Sequence, residues 1–152
     1  MKYALQNLRQ AIQIVHKKLS RKFLHWRMRG QSEAEILVAE RKLRGVEQLE
    51  KLERADIVVV SFGKSGRTWL RVMISHLFRV MYDLPEHAIL GFDNFHNINP
   101  AMPRIFFTHD NYIKDITGDF TSKRPFYNKR VILLARDPRD VAVSQFFQWK
   151  FR

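Results

Sequence analysis

The chain of 152 residues contains no cysteine, which excludes disulfide bonds and cysteine metal ligands and fits a reducing compartment. No apolar run approaches the roughly 20 residues that a helix needs to cross a bilayer, and the basic amino terminus lacks the apolar core and cleavage site of a secretory signal. The histidines show no metal-ligand spacing such as H-E-x-x-H. These absences favour a cytoplasmic protein without a metal centre.

Residues 1–31 contain eight Lys or Arg and no Asp or Glu, which is a large part of the chain's net charge of +12. Apolar residues recur there in steps of three and four, so one apolar stripe is predicted along a basic helix. The stripe comprises Leu5, Leu8, Ile12, Val15, Leu19, Phe23 and Trp26. It suits peripheral attachment to a membrane, an acidic partner or a helical neighbour, and packing on the chain's own domain is the simpler alternative.

Gly30 and the capping box Ser32-x-x-Glu35 predict the end of this helix and the start of a second one. Apolar residues then continue at helical spacing towards a strand that begins near residue 57. Residues 1–55 are therefore predicted to form a basic, amphipathic helical hairpin, and residues 56–152 to form a separate domain.

A buried strand, a basic turn and a helix follow one another in residues 56–81. Ile57 to Val60 are all β-branched, which is typical of a strand buried on both faces of a parallel sheet, and Thr68 to Met81 carry apolar residues at helical spacing. Gly63 and Gly66 permit backbone conformations that let several N–H groups point at one anion, while Lys64 and Arg67 add positive charge. The turn therefore predicts a phosphate or sulfate site.

The turn differs from the common phosphate loop G-x-x-x-x-G-K-[ST]. Gly63-Lys64-Ser65 reproduces its last three positions, but the first glycine is replaced by Val58 inside the strand. This difference disfavours an ATPase or GTPase. A P-loop-type nucleotide kinase and a nucleic-acid binder remain alternatives, although no nucleic-acid recognition motif is found and no specific nucleic-acid partner is expected.

A second strand-to-helix segment spans residues 129–152. Val131 to Ala135 predict a buried strand, Arg136 follows at its carboxyl end, and Pro138 suits the first turn of the next helix. Ligands bind at the carboxyl ends of strands in open α/β sheets, so an anion there could contact Arg136 and Ser144. Pairing of Arg136 with a nearby Asp is the alternative.

Together the two segments resemble the PAPS-dependent sulfotransferases, where PAPS is 3′-phosphoadenosine 5′-phosphosulfate. Ser61-Phe-Gly-Lys-Ser-Gly-Arg-Thr-Trp-Leu70 resembles the family's 5′-phosphosulfate loop, usually Pro-Lys-Ser-Gly-Thr-Thr-Trp-Leu. Arg136-Asp-Pro-Arg-Asp-Val-Ala-Val-Ser144 resembles its 3′-phosphate segment. The resemblance implies an α/β fold of three layers, with a mainly parallel sheet between helices, and transfer of a sulfuryl group from PAPS to a hydroxyl or amine.

The resemblance also implies a role for each matching residue. Lys64 would stabilise the leaving phosphate, and the family needs no metal for this step. Trp69 would lie beside the adenine, and Arg136 and Ser144 would bind the 3′-phosphate. The 5′-phosphate would be held by Ser65, Gly66, Arg67 and Thr68.

His109 is the candidate base, because many relatives use a histidine that follows a central strand, here Arg104 to Thr108. A histidine can accept a proton near neutral pH. A structural histidine bonded to a loop carbonyl is the alternative, and His96 or Asp110 could serve instead. Many relatives have a lysine where this chain has Phe107. The turn-rich segment 91–100 is a candidate lining of the acceptor pocket.

Sulfotransferase domains usually continue to a further motif, Arg-Lys-Gly followed by Gly-Asp-Trp, whereas this sequence stops at Arg152. The expectation is a truncated domain, with a catalytically idle remnant that binds a PAPS-like nucleotide or serves as an interaction module as the alternative. Uncovered sheet faces would then favour a homo-oligomer. The acceptor, whether a small molecule, a carbohydrate or a lipid, has no signature in the sequence.

Overall fold

The computed structural model describes the backbone of residues 2–151 and the side chains of residues 8, 11, 12 and 14–151. Within these residues lie six α-helices, three β-strands and one short 3₁₀ helix. In chain order they are α1 (Lys2–Arg27), α2 (Glu33–Arg54), β1 (Ile57–Ser61), α3 (Arg67–Tyr82), α4 (Asn94–Ile98), β2 (Ile105–Thr108), α5 (Lys114–Thr117), the 3₁₀ helix (Arg124–Phe126), β3 (Arg130–Leu134) and α6 (Pro138–Phe151).

The three strands form a parallel sheet in the order β2-β1-β3. In the register of the sheet, Val60 of β1 pairs with Thr108 of β2 and with Leu133 of β3. Because parallel strands end at the same edge, the segments that follow β1, β2 and β3 all leave the sheet on one side. The predicted parallel α/β architecture is confirmed.

The central strand β1 has apolar cores on both of its faces, because successive side chains of a strand point in opposite directions. Val58 packs with Leu52 of α2 and Phe106 of β2. Val59 belongs to the opposite core, against which α3 packs with Ile74 and Phe78 among other residues. The helix–sheet–helix order confirms the three predicted layers.

The predicted helical hairpin is present, and its turn has the predicted chemistry. Gly30 has a left-handed φ of 91°, and both hydrogen bonds of the Ser32–Glu35 capping box form at the start of α2. The predicted domain division between residues 55 and 56 stays a prediction. In the fold, α2 supplies one of the three layers, since Leu52 is buried against the sheet.

The sheet is unevenly covered. Four of the five residues of β3 are exposed, and Val141 is the buried residue of α6.

Among the described residues, no helix combines the length and the apolar character that crossing a bilayer requires.

Candidate anion-binding site

The loop between β1 and α3 contains two left-handed backbone positions. Lys64 has a φ of 64° and Gly66, the N-cap of α3, has a φ of 93°. Alternation of right- and left-handed residues turns successive N–H groups towards one point, which creates a concave site for an anion. Gly66 therefore has the backbone geometry that the sequence predicts, whereas the other left-handed position of the loop is Lys64 and not Gly63.

The amino terminus of α3 opens onto this loop. The first intrahelical hydrogen bond runs from Leu70 N to Gly66 O at 3.0 Å, so the N–H groups of Arg67, Thr68 and Trp69 have no acceptor within the helix. No acidic residue occupies the first turn of α3. The 16-residue helix therefore presents free donors and the positive end of its dipole to the loop.

Two serine hydroxyls lie in or directly below the loop. Ser61, the last residue of β1, is 2 % exposed, and its Oγ has no hydrogen-bond partner within the described part of the chain. Ser65 is also buried. A buried polar atom without a partner is uncommon in proteins, and the Ser61 hydroxyl is free to bond to a polar guest at this end of β1.

Arg136 connects the two predicted anion motifs. It lies beyond the carboxyl end of β3, and its Nη1 donates to the backbone carbonyl of Lys64 at 3.3 Å. Its Nε lies 3.4 Å from a carboxylate oxygen of Asp140. The alternative expected from the sequence, an ion pair of Arg136 with a nearby Asp, is therefore also present. Ser144 is half-buried on α6, about two helical turns further along. Lys64 and Arg136 therefore lie side by side at one edge of the sheet.

His109 lies at the same edge, immediately after β2. Its Nδ1 is 2.6 Å from the carbonyl oxygen of Ser61, and because a carbonyl only accepts, Nδ1 carries the proton and donates. The neutral ring then has an unprotonated Nε2 that can accept a proton. The bond to a loop carbonyl that a structural histidine would make is thus present. The same bond keeps the proton on Nδ1 and leaves Nε2 free to act as a base.

Of the alternative bases, Asp110 is engaged in an ion pair and His96 lies at the opposite edge of the sheet. Asp110 forms an ion pair with Lys123, and Nδ1 of His96 bonds to the carbonyl of Met102 at 2.8 Å. Met102 precedes β2, so His96 lies near the amino-terminal edge of the sheet. Asp93 pairs with Arg54, just before β1, at 2.9 Å. The segment 91–100 is therefore held at the edge opposite the loop, which disfavours its interpretation as acceptor-pocket lining.

Arg71 is a site residue that the sequence analysis missed. Its guanidinium lies over the ring of Phe107 at 4.8 Å, and its Nε is buried without a partner in the part of the chain described. Burial lowers the pKa of Arg71 and also that of Arg67, where the charge of Arg71 adds to the effect. The i, i+4 spacing of the two arginines could have revealed this pair on one helix face.

These cations are not neutralised within the protein. In the described residues, none of Lys64, Arg67 and Arg71 forms an ion pair with a carboxylate. Partly buried cations without carboxylate partners are costly unless an anionic ligand compensates them. Their arrangement therefore favours a strongly anionic guest.

An apolar cavity of about 530 Å³ adjoins the loop. Ser65 and Arg136 lie in its wall, and most of the remaining wall is apolar, including Phe62, Leu133 and Val141. Trp69 is 75 % exposed and does not line this cavity. The described side chains include no cluster of three or more His, Cys, Asp or Glu suited to a metal ion.

The comparison with protein families agrees with this geometry. The family model described as "Sulfotransferase domain" matches residues 54–151, which is more than half of the chain and contains the loop, His109 and Arg136. The chain therefore belongs to the sulfotransferase family, whose domain supports sulfuryl transfer in general. Searches of curated proteins and of solved structures found no match.

Proposed function

We propose that this protein is a transferase that moves a sulfuryl group from PAPS to a hydroxyl or amine of a small-molecule, carbohydrate or lipid acceptor. The proposal depends mainly on one observation, the bond between Arg136 and the carbonyl of Lys64. This contact puts the two predicted anion motifs next to each other. PAPS has two anionic groups on one nucleoside and needs two such motifs close together.

The residues present fit such a donor. The left-handed positions 64 and 66, the free N–H groups at the start of α3 and the hydroxyls of Ser65 and Thr68 suit the 5′-phosphosulfate. Arg136 and Ser144 suit the 3′-phosphate. The apolar cavity beside Ser65 and Arg136 has a volume suited to part of a nucleoside, and Trp69 is the residue proposed to lie beside the adenine.

When bound, PAPS supplies the sulfuryl group, and its sulfur–oxygen bond to the 5′-phosphate breaks as the acceptor oxygen or nitrogen takes the group. Negative charge then grows on the phosphate oxygen, so the ammonium of Lys64 and the N–H groups of α3 stabilise the transition state more than the ground state. Nε2 of His109 accepts the acceptor's proton. Arg67 and Arg71 add positive potential on the β2 side of the loop.

Isothermal titration tests the proposal most directly. We expect 3′-phosphoadenosine 5′-phosphate to bind without magnesium and to compete with PAPS, and ATP with magnesium to bind much more weakly. Tight ATP binding that requires magnesium would instead identify a nucleotide kinase. Transfer of radiolabelled sulfate from PAPS to a mixture of phenolic, carbohydrate and amine acceptors measures the reaction itself.

A second candidate is a catalytically idle protein that binds the nucleotide or assembles with other copies. The exposure of β3 and α6 favours it, because uncovered apolar faces promote association. Nucleotide binding without sulfate transfer to any acceptor would support this candidate over the enzyme. Sedimentation velocity over a range of protein concentrations would detect the assembly.

A further inference from the structure

The helix α1 contacts the rest of the protein through a polar face. Lys17 and Arg21 approach the same carboxylate oxygen of Glu47, at 3.7 and 3.8 Å, and Nε2 of His25 lies 2.7 Å from Glu40. Leu24 on this face and Met28, just beyond the end of α1, are half-buried apolar residues. The helix is therefore attached to α2 largely by ion pairs.

The apolar stripe of α1 faces largely away from α2, and Ile12 also borders a cavity that α1 shares with α2 and Phe92. Its six described members are each between 54 % and 59 % exposed. This is nearly uniform exposure along a face about 27 Å long at 1.5 Å per residue. Packing against the chain's own domain does not cover this stripe among the described residues. Its members are Leu8, Ile12, Val15, Leu19, Phe23 and Trp26.

Positive side chains border the stripe on both sides. At 100° per residue, Lys18 and Lys22 lie along one edge and Arg27 along the other, and all three are exposed. The sequence of residues 1–31 contains no acidic residue to offset them. An apolar face between two cationic edges is the pattern of a helix that lies in the surface of an anionic membrane.

We propose that α1 docks in the plane of an anionic lipid surface, with the stripe from Leu8 to Trp26 inserted among the acyl chains and the bordering cations on lipid phosphates. The charge of the helix favours lipid over a second copy of the chain. A symmetric contact between two copies would place two all-positive helices against each other, whereas an anionic headgroup layer neutralises them. The amphipathic Trp26 also suits the headgroup boundary.

Flotation of the full chain with vesicles tests the proposal. Vesicles of phosphatidylcholine with about 30 % phosphatidylglycerol are compared with phosphatidylcholine alone, at about 0.1 M and about 0.5 M salt. We expect binding to the anionic vesicles, at least about 10-fold weaker binding to neutral ones, and weaker binding at the higher salt. Equal binding to both vesicle types, or none to either, would overturn the proposal.

Three double variants separate the contributions. Leu19→Gln with Phe23→Gln removes part of the stripe, and Lys18→Gln with Lys22→Gln removes charge from one edge. Leu37→Gln with Val38→Gln on α2 is the matched control, since those two side chains are similarly exposed, at 58 % and 52 %. Each of the first two should reduce anionic-vesicle binding about 10-fold or more, and the control should not. Equal binding of anionic vesicles by all three variants would contradict the assignment of lipid binding to α1.

Two further measurements keep the test decisive if a variant unfolds. The unsubstituted chain should show a blue shift of tryptophan emission on adding anionic vesicles, and Trp26→Phe should abolish that shift, because Trp69 and Trp149 lie outside α1. Sedimentation velocity without vesicles tests the second copy as occupant. If the unsubstituted chain self-associates, the stripe variant does not, and neither binds vesicles, the stripe is covered by a second copy of the chain and the lipid proposal is wrong.

Discussion

The two sides of β1 differ sharply in how well they are packed. On one side, three of the four residues of β2 are buried and belong to a sheet with apolar cores on both faces. On the other side, four of the five residues of β3 are exposed, and α6 leaves large apolar side chains such as Phe147 and Trp149 exposed. The same sheet thus has a packed half and an open half.

The proposed functional residues are divided between these halves. His109 belongs to the packed half, Lys64 and the start of α3 follow the central strand, and Arg136 and Ser144 belong to the open half. Groups that stabilise a transition state need fixed positions, while a charged group that only adds affinity tolerates more freedom. We therefore expect substitutions in the packed half to reduce turnover and substitutions in the open half to weaken donor binding.

The largest effect is expected at His109. Its replacement by Asn retains an N–H that can donate to the Ser61 carbonyl but removes the proton acceptor, so turnover should fall about 10²–10⁴-fold. Affinity for 3′-phosphoadenosine 5′-phosphate should be unchanged. The sulfate-transfer assay and titration measure the two quantities, and turnover close to that of the unsubstituted protein would remove His109 as the base.

Lys64→Met should reduce turnover about 10²–10³-fold, because the cation facing the departing phosphate is lost. Lys64→Arg keeps the charge and is the matched control, with an intermediate loss expected from its different geometry. Both variants are compared in the same transfer assay. Equal turnover of the Met and Arg variants would mean that charge at this position does not stabilise the transition state.

A pair of leucine substitutions tests the packing difference itself. Leu52→Ala on α2 removes a side chain that is 1 % exposed and should lower the free energy of unfolding by about 3 kcal/mol. Leu133→Ala on β3, where the side chain is 74 % exposed, should change it by less than about 0.5 kcal/mol. Urea denaturation measures both values. Similar losses in the two variants would mean that β3 is covered in solution.

Arg136→Met should raise the dissociation constant for PAPS about 10-fold, because a charge-assisted hydrogen bond to phosphate is lost. Ser144→Ala should raise it about 3-fold. Adenosine 5′-phosphosulfate, which lacks the 3′-phosphate, is the matched ligand, and its affinity should not change in either variant. Equal losses for both ligands would contradict a 3′-phosphate role for this segment.

A further small effect is expected at Lys51, a half-buried cation on α2 that destabilises the fold. Desolvation, and then the charge of Lys17, lower the pKa of Lys51 on α2 to about 8. The ordinary pKa of lysine is 10.5, so between pH 8 and pH 10.5 the unfolded chain binds more protons than the folded one. Lys51 therefore lowers the free energy of unfolding below pH 8, and this loss disappears as the pH rises to 10.5.

Lys51→Met should accordingly raise the free energy of unfolding at pH 7 by about 1 kcal/mol, a value reduced for the partial exposure of the side chain. The advantage over the unsubstituted protein should shrink at pH 10. Denaturation at the two pH values checks this. An advantage that grows with pH would have the wrong sign for a depressed lysine pKa.

The elements could be predicted from sequence where local chemistry alone determines them. The β-branched run of β1, Gly66 of the loop and the Ser32–Glu35 capping box each predict their own conformation, and each is found. The other left-handed position of the loop is Lys64, whereas the sequence points to Gly63. Which surfaces pack together is a different question. Periodicity shows that α1 and α2 are amphipathic, but it does not show that α2 covers the sheet while the stripe of α1 remains exposed.

The candidate site also has parts that the sequence predicts and parts that depend on how the elements pack. The Lys64 and Arg136 motifs are visible because each follows a strand, and parallel strands bring their carboxyl ends together. The contact of Arg71 with Phe107 joins residues from a helix and a non-adjacent strand, so it depends on how α3 lies across the sheet. The bond from His109 to the Ser61 carbonyl likewise requires the register of β1 and β2.

The left-handed backbone of Lys64 places stability and activity in opposition at a single residue. A non-glycine side chain at a φ of 64° costs about 1 kcal/mol, so glycine would be the better residue for the fold and would remove the cation. Selection for thermal robustness alone would therefore favour loss of this lysine. The anion that the loop is proposed to bind therefore explains this lysine, whereas the stability of the fold does not.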